Sequence, residues 1–401
     1  MSLRHWIVAA PLGIAVLLGA ARPAAAQVPC KTLPGPIYVA GSSAIGPLVK
    51  QMGVALAKAG ATNTLVYQSL GSCVGVDNVV NNKPITGNGT WYDNMGAQQT
   101  CTLEMNGTPT DVGVSDVYAR TCADTGITIP GSGFTDTAGP IQAMLFIVPK
   151  NSNQQAITYE EAKIVFGYGG ATCPVDPWTD MTQLFIRNGS SGTQNIIGYS
   201  IDLVPASKMK GVDSKSSTGV VTNLTMAADP NKALGLLAAD VYDSNRATLK
   251  ALAFRAKGQM SAYFPDSDAA ALDKKNVRDG HYNPWGPLHL ITTGAQPAGN
   301  ARMFIDWVNG AAMPTDANNK PIWSEIIDLQ IASNVIPKCA MTVDRTAEVG
   351  DLKRYADPAP CGCYFESKAT KMTPPACKAC TMDTDCAGGT PKCRRGFCEA
   401  R

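Results

Sequence analysis

From Pro36 onward, short runs of apolar residues alternate with longer stretches in which apolar positions recur every three or four residues. The runs predict strands over 37–40, 64–68, 112–114, 141–148, 184–186 and 288–291. The longer stretches predict helices over 46–59, 159–166, 192–201, 231–238 and 300–309. In the first of these helices Leu48, Met52, Ala55, Leu56 and Ala59 share one face, which must be buried. Strands and helices alternating in this way predict an α/β architecture on largely parallel strands. The segment 266–287 is charged, then rich in Asn, Pro and Gly, and reads as a loop leading back into a strand.

Residues 1–26 follow another pattern: Arg4 and His5, an apolar run from Trp6 to Ala20, then Ala24-Ala25-Ala26 before Gln27. This is the form of a secretory signal peptide, and the run falls short of the ~20 apolar residues that a bilayer span requires. The mature chain is therefore expected to begin near Gln27, to be exported to a periplasm or beyond the cell, and not to span a membrane. It is longer than a single hydrophobic core usually organises, so at least two domains are expected. Lys and Arg number 34 against 32 Asp and Glu, which gives no charge bias toward nucleic acid or a membrane surface. Any anion site must be built locally, from backbone N–H groups and hydroxyls.

All 13 cysteines follow residue 26, and in an oxidising compartment most should pair, leaving one over. After Tyr355 the composition changes through Asp357-Pro358-Ala359-Pro360 into a tail carrying Cys361, Cys363, Cys377, Cys380, Cys386, Cys393 and Cys398. It has few large apolar residues, so cross-links must supply most of its order. Cys361-x-Cys363 and Cys377-x-x-Cys380 also have the spacing of zinc ligands. The tail has no histidine and exported thiols oxidise, so disulfides are expected, with no metal and no cofactor.

Four polar loops follow predicted strands. Gly41-Ser42-Ser43-Ala44 leads into the helix at Gly46-Pro47, where Ser caps and Pro suits the first turn. Such a helix start attracts anions through its free donors and its dipole. Gly71-Ser72-Cys73-Val74-Gly75 has the outline of a nucleophile elbow, but no base can be placed beside Cys73 and an exported cysteine is more often a disulfide partner. Val114-Ser115-Asp116 ends a strand. An ionised Asp beside an anion site accepts a hydrogen bond from a protonated ligand and repels one without a proton. In Arg187-Asn188-Gly189-Ser190-Ser191-Gly192-Thr193, Arg187 offers a fork of donors suited to an oxyanion. Ser191, Gly192 and Thr193 then open a helix with hydroxyls and amides. Each loop also has an ordinary capping or linker reading.

Taken in order, these motifs resemble the periplasmic phosphate-binding proteins of ATP-driven (ABC) phosphate transporters, which have the type II periplasmic binding-protein fold. Tyr38-Val39-Ala40-Gly41-Ser42-Ser43-Ala44 resembles the family's first glycine-rich loop and Tyr67-Gln68-Ser69-Leu70-Gly71-Ser72-Cys73-Val74-Gly75-Val76 its second. Val112-Gly113-Val114-Ser115-Asp116 is similar to its Gly-x-Ser-Asp block, and Arg187 to Thr193 to its Arg-x-x-x-Ser-Gly-Thr block. Phe304-Ile305-Asp306-Trp307 resembles a late helix of the fold. The resemblance implies a ligand set of Ser42, Ser43, Ala44, Ser72, Cys73, Asp116, Arg187, Ser191, Gly192 and Thr193. Cys73 stands where the family usually has Ser, and Gly189 where many relatives have an Asp paired with the Arg.

The expectation is a two-lobed α/β protein of two mostly parallel sheets flanked by helices, with lobe one over 28–139 and 288–355, lobe two over 140–287, and a disulfide-rich tail over 356–401. It would be a non-catalytic, monomeric solute-binding protein that closes on phosphate (HPO4 2−) or a similar oxyanion and feeds an ABC-transporter permease. Two other readings remain: an adhesion or scaffold protein reusing the fold, and a phosphatase or hydrolase.

Overall fold

The computed structural model describes residues 27–170, 172–316, 318–322, 325–387 and 392–399; the expected signal peptide lies outside them. One mixed sheet of twelve strands runs through the molecule. Its strands are β1 (Val28–Pro29), β2 (Pro36–Gly41), β3 (Thr64–Ser69), β4 (Asn88–Tyr92), β5 (Gln98–Thr102), β6 (Val112–Ser115), β7 (Phe134–Pro149), β8 (Leu184–Ile186), β9 (Val212–Asp213), β10 (Leu234–Ala238), β11 (Leu249–Ala251) and β12 (Trp285–Thr293). Their order is β1-β5-β4-β3-β2-β6-β12-β7-β10-β8-β9, with β11 paired to β7.

Two parallel cores sit at opposite ends of this order. The strands β3, β2 and β6 are parallel in one half, and β10, β8 and β9 in the other. Between them β7 and β12 run antiparallel to each other and to their neighbours, joining what sequence predicts as two sheets. The physical cause is the length of β7, whose 16 residues span both halves and whose last eleven are all buried. Two-lobed α/β architecture is thus as expected, on a sheet that is mixed rather than mostly parallel.

Helices α1 (Gly46–Ala59), α2 (Ser72–Val80), α3 (Tyr159–Tyr168), α4 (Gly192–Ser200), α5 (Ser217–Thr225), α6 (Ala239–Asp243), α7 (Lys275–Arg278), α8 (Gly299–Val308), α9 (Ile326–Ala332) and α10 (Gly362–Thr370) flank the sheet. The helix α1 buries Leu48, Met52, Ala55 and Leu56, the face read from its spacing, and ends at a left-handed Gly60. One expected helix is a strand. Over 231–238 the chain forms β10, because Leu-Gly-Leu-Leu-Ala is apolar on both sides and fills a central position between β7 and β8. The expected loop at 266–287 contains α7 and the start of β12.

Twelve cysteines pair as Cys30–Cys101, Cys73–Cys122, Cys339–Cys361, Cys363–Cys377, Cys380–Cys393 and Cys386–Cys398, and Cys173 is free. The tail is ordered by more than cross-links. Phe365 of α10 is buried in the main core, and Arg278 of α7 reaches Gly362 O at 3.3 Å and Glu366 Oε2 at 3.1 Å. No helix among the described residues is long and apolar enough to cross a membrane.

Candidate oxyanion site

Parallel strands deliver their following loops to the same edge of a sheet, and there the helix starts gather. After β2, Ser42 caps the next helical turn: its Oγ accepts from Ala44 N at 3.1 Å and donates to Asp116 Oδ1 at 2.7 Å. Tyr67 of β3 holds the same loop from behind by donating to Ser42 O at 2.5 Å. After β3, Ser72 opens α2; its Oγ donates to Asp116 Oδ2 at 3.2 Å and accepts from Asp116 N at 3.1 Å. The helix α2 can lie this close because a Cβ on Gly75 would fall 2.6 Å from Ala40 O. Three loops that sequence separates are thereby fixed around one carboxylate.

The other half of the sheet supplies the opposing wall. Arg187 leaves β8, and Ser191 caps α4, with its Oγ accepting from Gln194 N at 3.5 Å. Gly192 is pressed against the first half: a Cβ there would fall 2.3 Å from Ser72 Oγ and 2.6 Å from Asp116 Oδ2. Cys73 N donates to Ser190 O at 3.0 Å, and Ser43 Oγ lies 3.3 Å from Ser217 Oγ. The two walls are therefore in contact, and the starts of α1, α2, α4 and α5 meet at one place.

Charge there is buried. Asp116 is 2% exposed and Arg187 5% exposed. Burial raises the Asp116 carboxyl from its ordinary value, with the Ser42 and Ser72 hydroxyls and the charge of Arg187 acting in the other direction. Burial likewise lowers Arg187, against the opposing pull of Asp116 and Asp213. Arg187 Nη1 donates to Ser217 Oγ at 2.7 Å, while Arg187 Nε is buried without a partner. Among the described residues no carboxylate forms an ion pair with Arg187. A buried guanidinium with an unpaired Nε beside helix starts is an arrangement that an oxyanion would complete.

Of the ten expected positions, Ser42, Ala44, Ser72, Asp116 and Gly192 are joined by direct contacts, Ser43 and Arg187 meet through Ser217, and Ser191 and Thr193 lie at the start of α4 on either side of Gly192. Cys73 is there too but is corrected as a donor. Its sulfur is bonded to Cys122 and its amide is taken by Ser190 O, so it offers nothing to a ligand and cannot be a nucleophile. Sequence reasoning missed Ser217, which orients Arg187 where no Asp follows it. The signal was Ser214-Lys215-Ser216-Ser217-Thr218-Gly219, and Ser216 indeed caps α5 by accepting from Gly219 N.

This architecture is similar in fold to that of a solved substrate-binding protein of a phosphate transporter. No sequence profile of a protein family and no curated protein sequence matches the chain. Among solved structures, a putative phosphate ABC transporter substrate-binding protein with bound phosphate from Clostridium perfringens matches with a TM-score of 0.52 at 13% identity, covering 76% of this chain and 99% of that one. An ABC-type phosphate transport receptor from Vibrio cholerae gives a TM-score of 0.47 at 12% identity, over 75% of this chain and 99% of that one. At these identities the likeness is one of fold, and the fold expected from the motifs is the one found.

Proposed function

We propose that this chain is an exported, non-catalytic binding protein that closes two lobes on phosphate or a similar tetrahedral oxyanion and passes it to an ABC-type permease. The observation that carries this reading is Arg187: a buried guanidinium with no carboxylate ion-pair partner and an unpaired Nε among the described residues, set among four helix starts. The lobes would be 28–139 with 288–355, and 140–287, hinged where β7 and β12 pass between the halves. Asp116 would accept the ligand's proton and so favour monohydrogen phosphate over sulfate. Its partners Ser42 and Ser72 leave lone pairs on both carboxylate oxygens for that bond.

Calorimetric titration of the mature protein with phosphate, arsenate and sulfate tests the reading. It predicts one phosphate site of micromolar or tighter affinity, similar arsenate binding, and far weaker sulfate binding. Absence of heat with all three anions, with no thermal protection by any, would contradict it.

A further inference from the structure

Asp240 lies just past β10, on the edge of the sheet to which β8 delivers Arg187, because β10 and β8 are paired in parallel. Its side chain is 0% exposed. Gln142, on β7, donates from Nε2 to Asp240 Oδ1 at 2.9 Å. The second oxygen of each group, Asp240 Oδ2 and Gln142 Oε1, is buried and has no hydrogen-bond partner among the described residues. Two orphaned acceptors on residues already joined by one hydrogen bond are a costly arrangement for a carboxylate. A proton on Oδ2 would let the acid donate to Gln142 Oε1 while the amide donates to Oδ1, so that one hydrogen would satisfy both orphans.

The surroundings act in the same direction. Burial is the largest influence raising the Asp240 carboxyl well above its ordinary range, and Asp116 beyond β6 and Asp243 on α6 raise it further. Amides at the start of α6 act the other way, and Tyr67 of β3 is within electrostatic reach. From the segment after α9, Asn334 offers only a neutral amide, 3.5 Å from the Asp240 backbone oxygen. No cation is among the largest influences on Asp240.

We propose that Asp240 is a buried supporting acid outside the ligand set of the oxyanion site, held as a neutral carboxylic acid in a reciprocal two-hydrogen-bond pair with the Gln142 amide. The role in the site rests on the reading of Arg187 and Asp116 given above; the pair itself does not. Asp240 is a positioning residue: it ties β7, at the junction of the halves, to α6, and while neutral it adds no charge to those of Asp116 and Asp213 that act on Arg187. Ionisation removes the hydrogen that joins the pair and sets a second anion beside Asp116, so oxyanion affinity falls as pH rises through the Asp240 titration.

The sign for stability follows from the same proton. The folded chain keeps it where the unfolded chain has released it, so stability contributed by the neutral pair is full below the ordinary Asp range and declines as pH rises above it. Asn at 240 retains both hydrogen bonds without a proton to lose.

Infrared difference spectra of the wild type and Asp240→Asn at neutral pH should show a protonated-carboxyl carbonyl band that the variant lacks and that Asp116→Asn retains. In urea titrations the stability of Asp240→Asn relative to wild type should rise with pH. The variant should bind phosphate at neutral pH within about threefold of wild type and lose the decline at higher pH, which in the wild type approaches about tenfold per pH unit. An unchanged carbonyl region, or identical pH profiles of stability, overturns the neutral pair. If the pair is seen spectroscopically but phosphate affinity follows the same pH profile in both proteins, or neither protein binds phosphate, the role in the anion site is overturned.

Discussion

Arg187 Nη1 donates to Ser217 Oγ at 2.7 Å, and this hydroxyl is the sole hydrogen-bond partner of the guanidinium among the described residues. Ser217 also lies 3.3 Å from Ser43, so one serine both aims the arginine and touches the opposite half. A side chain held by one neutral acceptor keeps the remainder of its donor fork for a ligand.

Replacing Ser217 by Ala should therefore weaken phosphate binding without unfolding the protein. Loss of a hydrogen bond to a charged group is worth about 1.5–3 kcal/mol, or roughly ten- to a hundredfold in Kd. Calorimetry of Ser217→Ala checks this, and Ser217→Thr, which keeps the hydroxyl, should recover much of the loss.

Asp116→Asn should change selectivity more than affinity. The Asn amide can donate to a sulfate oxygen where the carboxylate repels it, so the ratio of phosphate to sulfate affinity should shrink by about 100-fold or more. Because burial raises the Asp116 carboxyl, the wild type should also gain sulfate affinity as pH falls through its titration, when the protonated acid becomes a donor. Competition titrations across acid pH should show that gain in the wild type and not in Asp116→Asn.

Gly192→Ala should block closure. The added Cβ would meet Ser72 Oγ at 2.3 Å and Asp116 Oδ2 at 2.6 Å, both held by hydrogen bonds. Phosphate affinity should fall by an order of magnitude or more, and small-angle scattering should show no compaction on adding phosphate.

The disulfides predict a graded loss of stability. Cys30–Cys101 encloses a separation of 71 residues and Cys339–Cys361 one of 22. Loop-closure entropy assigns about 4 and 3 kcal/mol to them respectively. Urea unfolding of Cys30→Ser/Cys101→Ser and Cys339→Ser/Cys361→Ser should preserve that order, and the second pair should also loosen Phe365 from the core.

Most of the helix starts that line the proposed site are legible in the sequence because they announce themselves locally. A glycine- or serine-rich turn between an apolar run and a periodic stretch marks a helix start, and Ser42, Ser72 and Ser191 were found that way. What escaped depends on tertiary context. The run at 231–238 is short and apolar throughout, so periodicity could not separate a helix from the buried strand β10. Ser217 sits in a polar stretch before a helix whose buried residues are few, Ser217, Val220 and Leu224, and only the position of Arg187 gives it a role. Asp240 looks like an ordinary acid at a helix start until Gln142, almost a hundred residues earlier, is seen against it. Cys73 could be read as donor or disulfide partner, and only the position of Cys122 decides.

The account turns on whether the free donors of Arg187 hold an anion. The most direct measurement is phosphate affinity by calorimetry for the wild type, Arg187→Lys and Arg187→Ala, each verified as folded by circular dichroism. Truncating one partner of a buried charge pair is expected to cost about 2–5 kcal/mol, so Arg187→Ala should bind at least roughly thirtyfold more weakly. Lys, lacking the fork, should recover only part of that loss. Equal phosphate affinity in all three proteins would contradict the account.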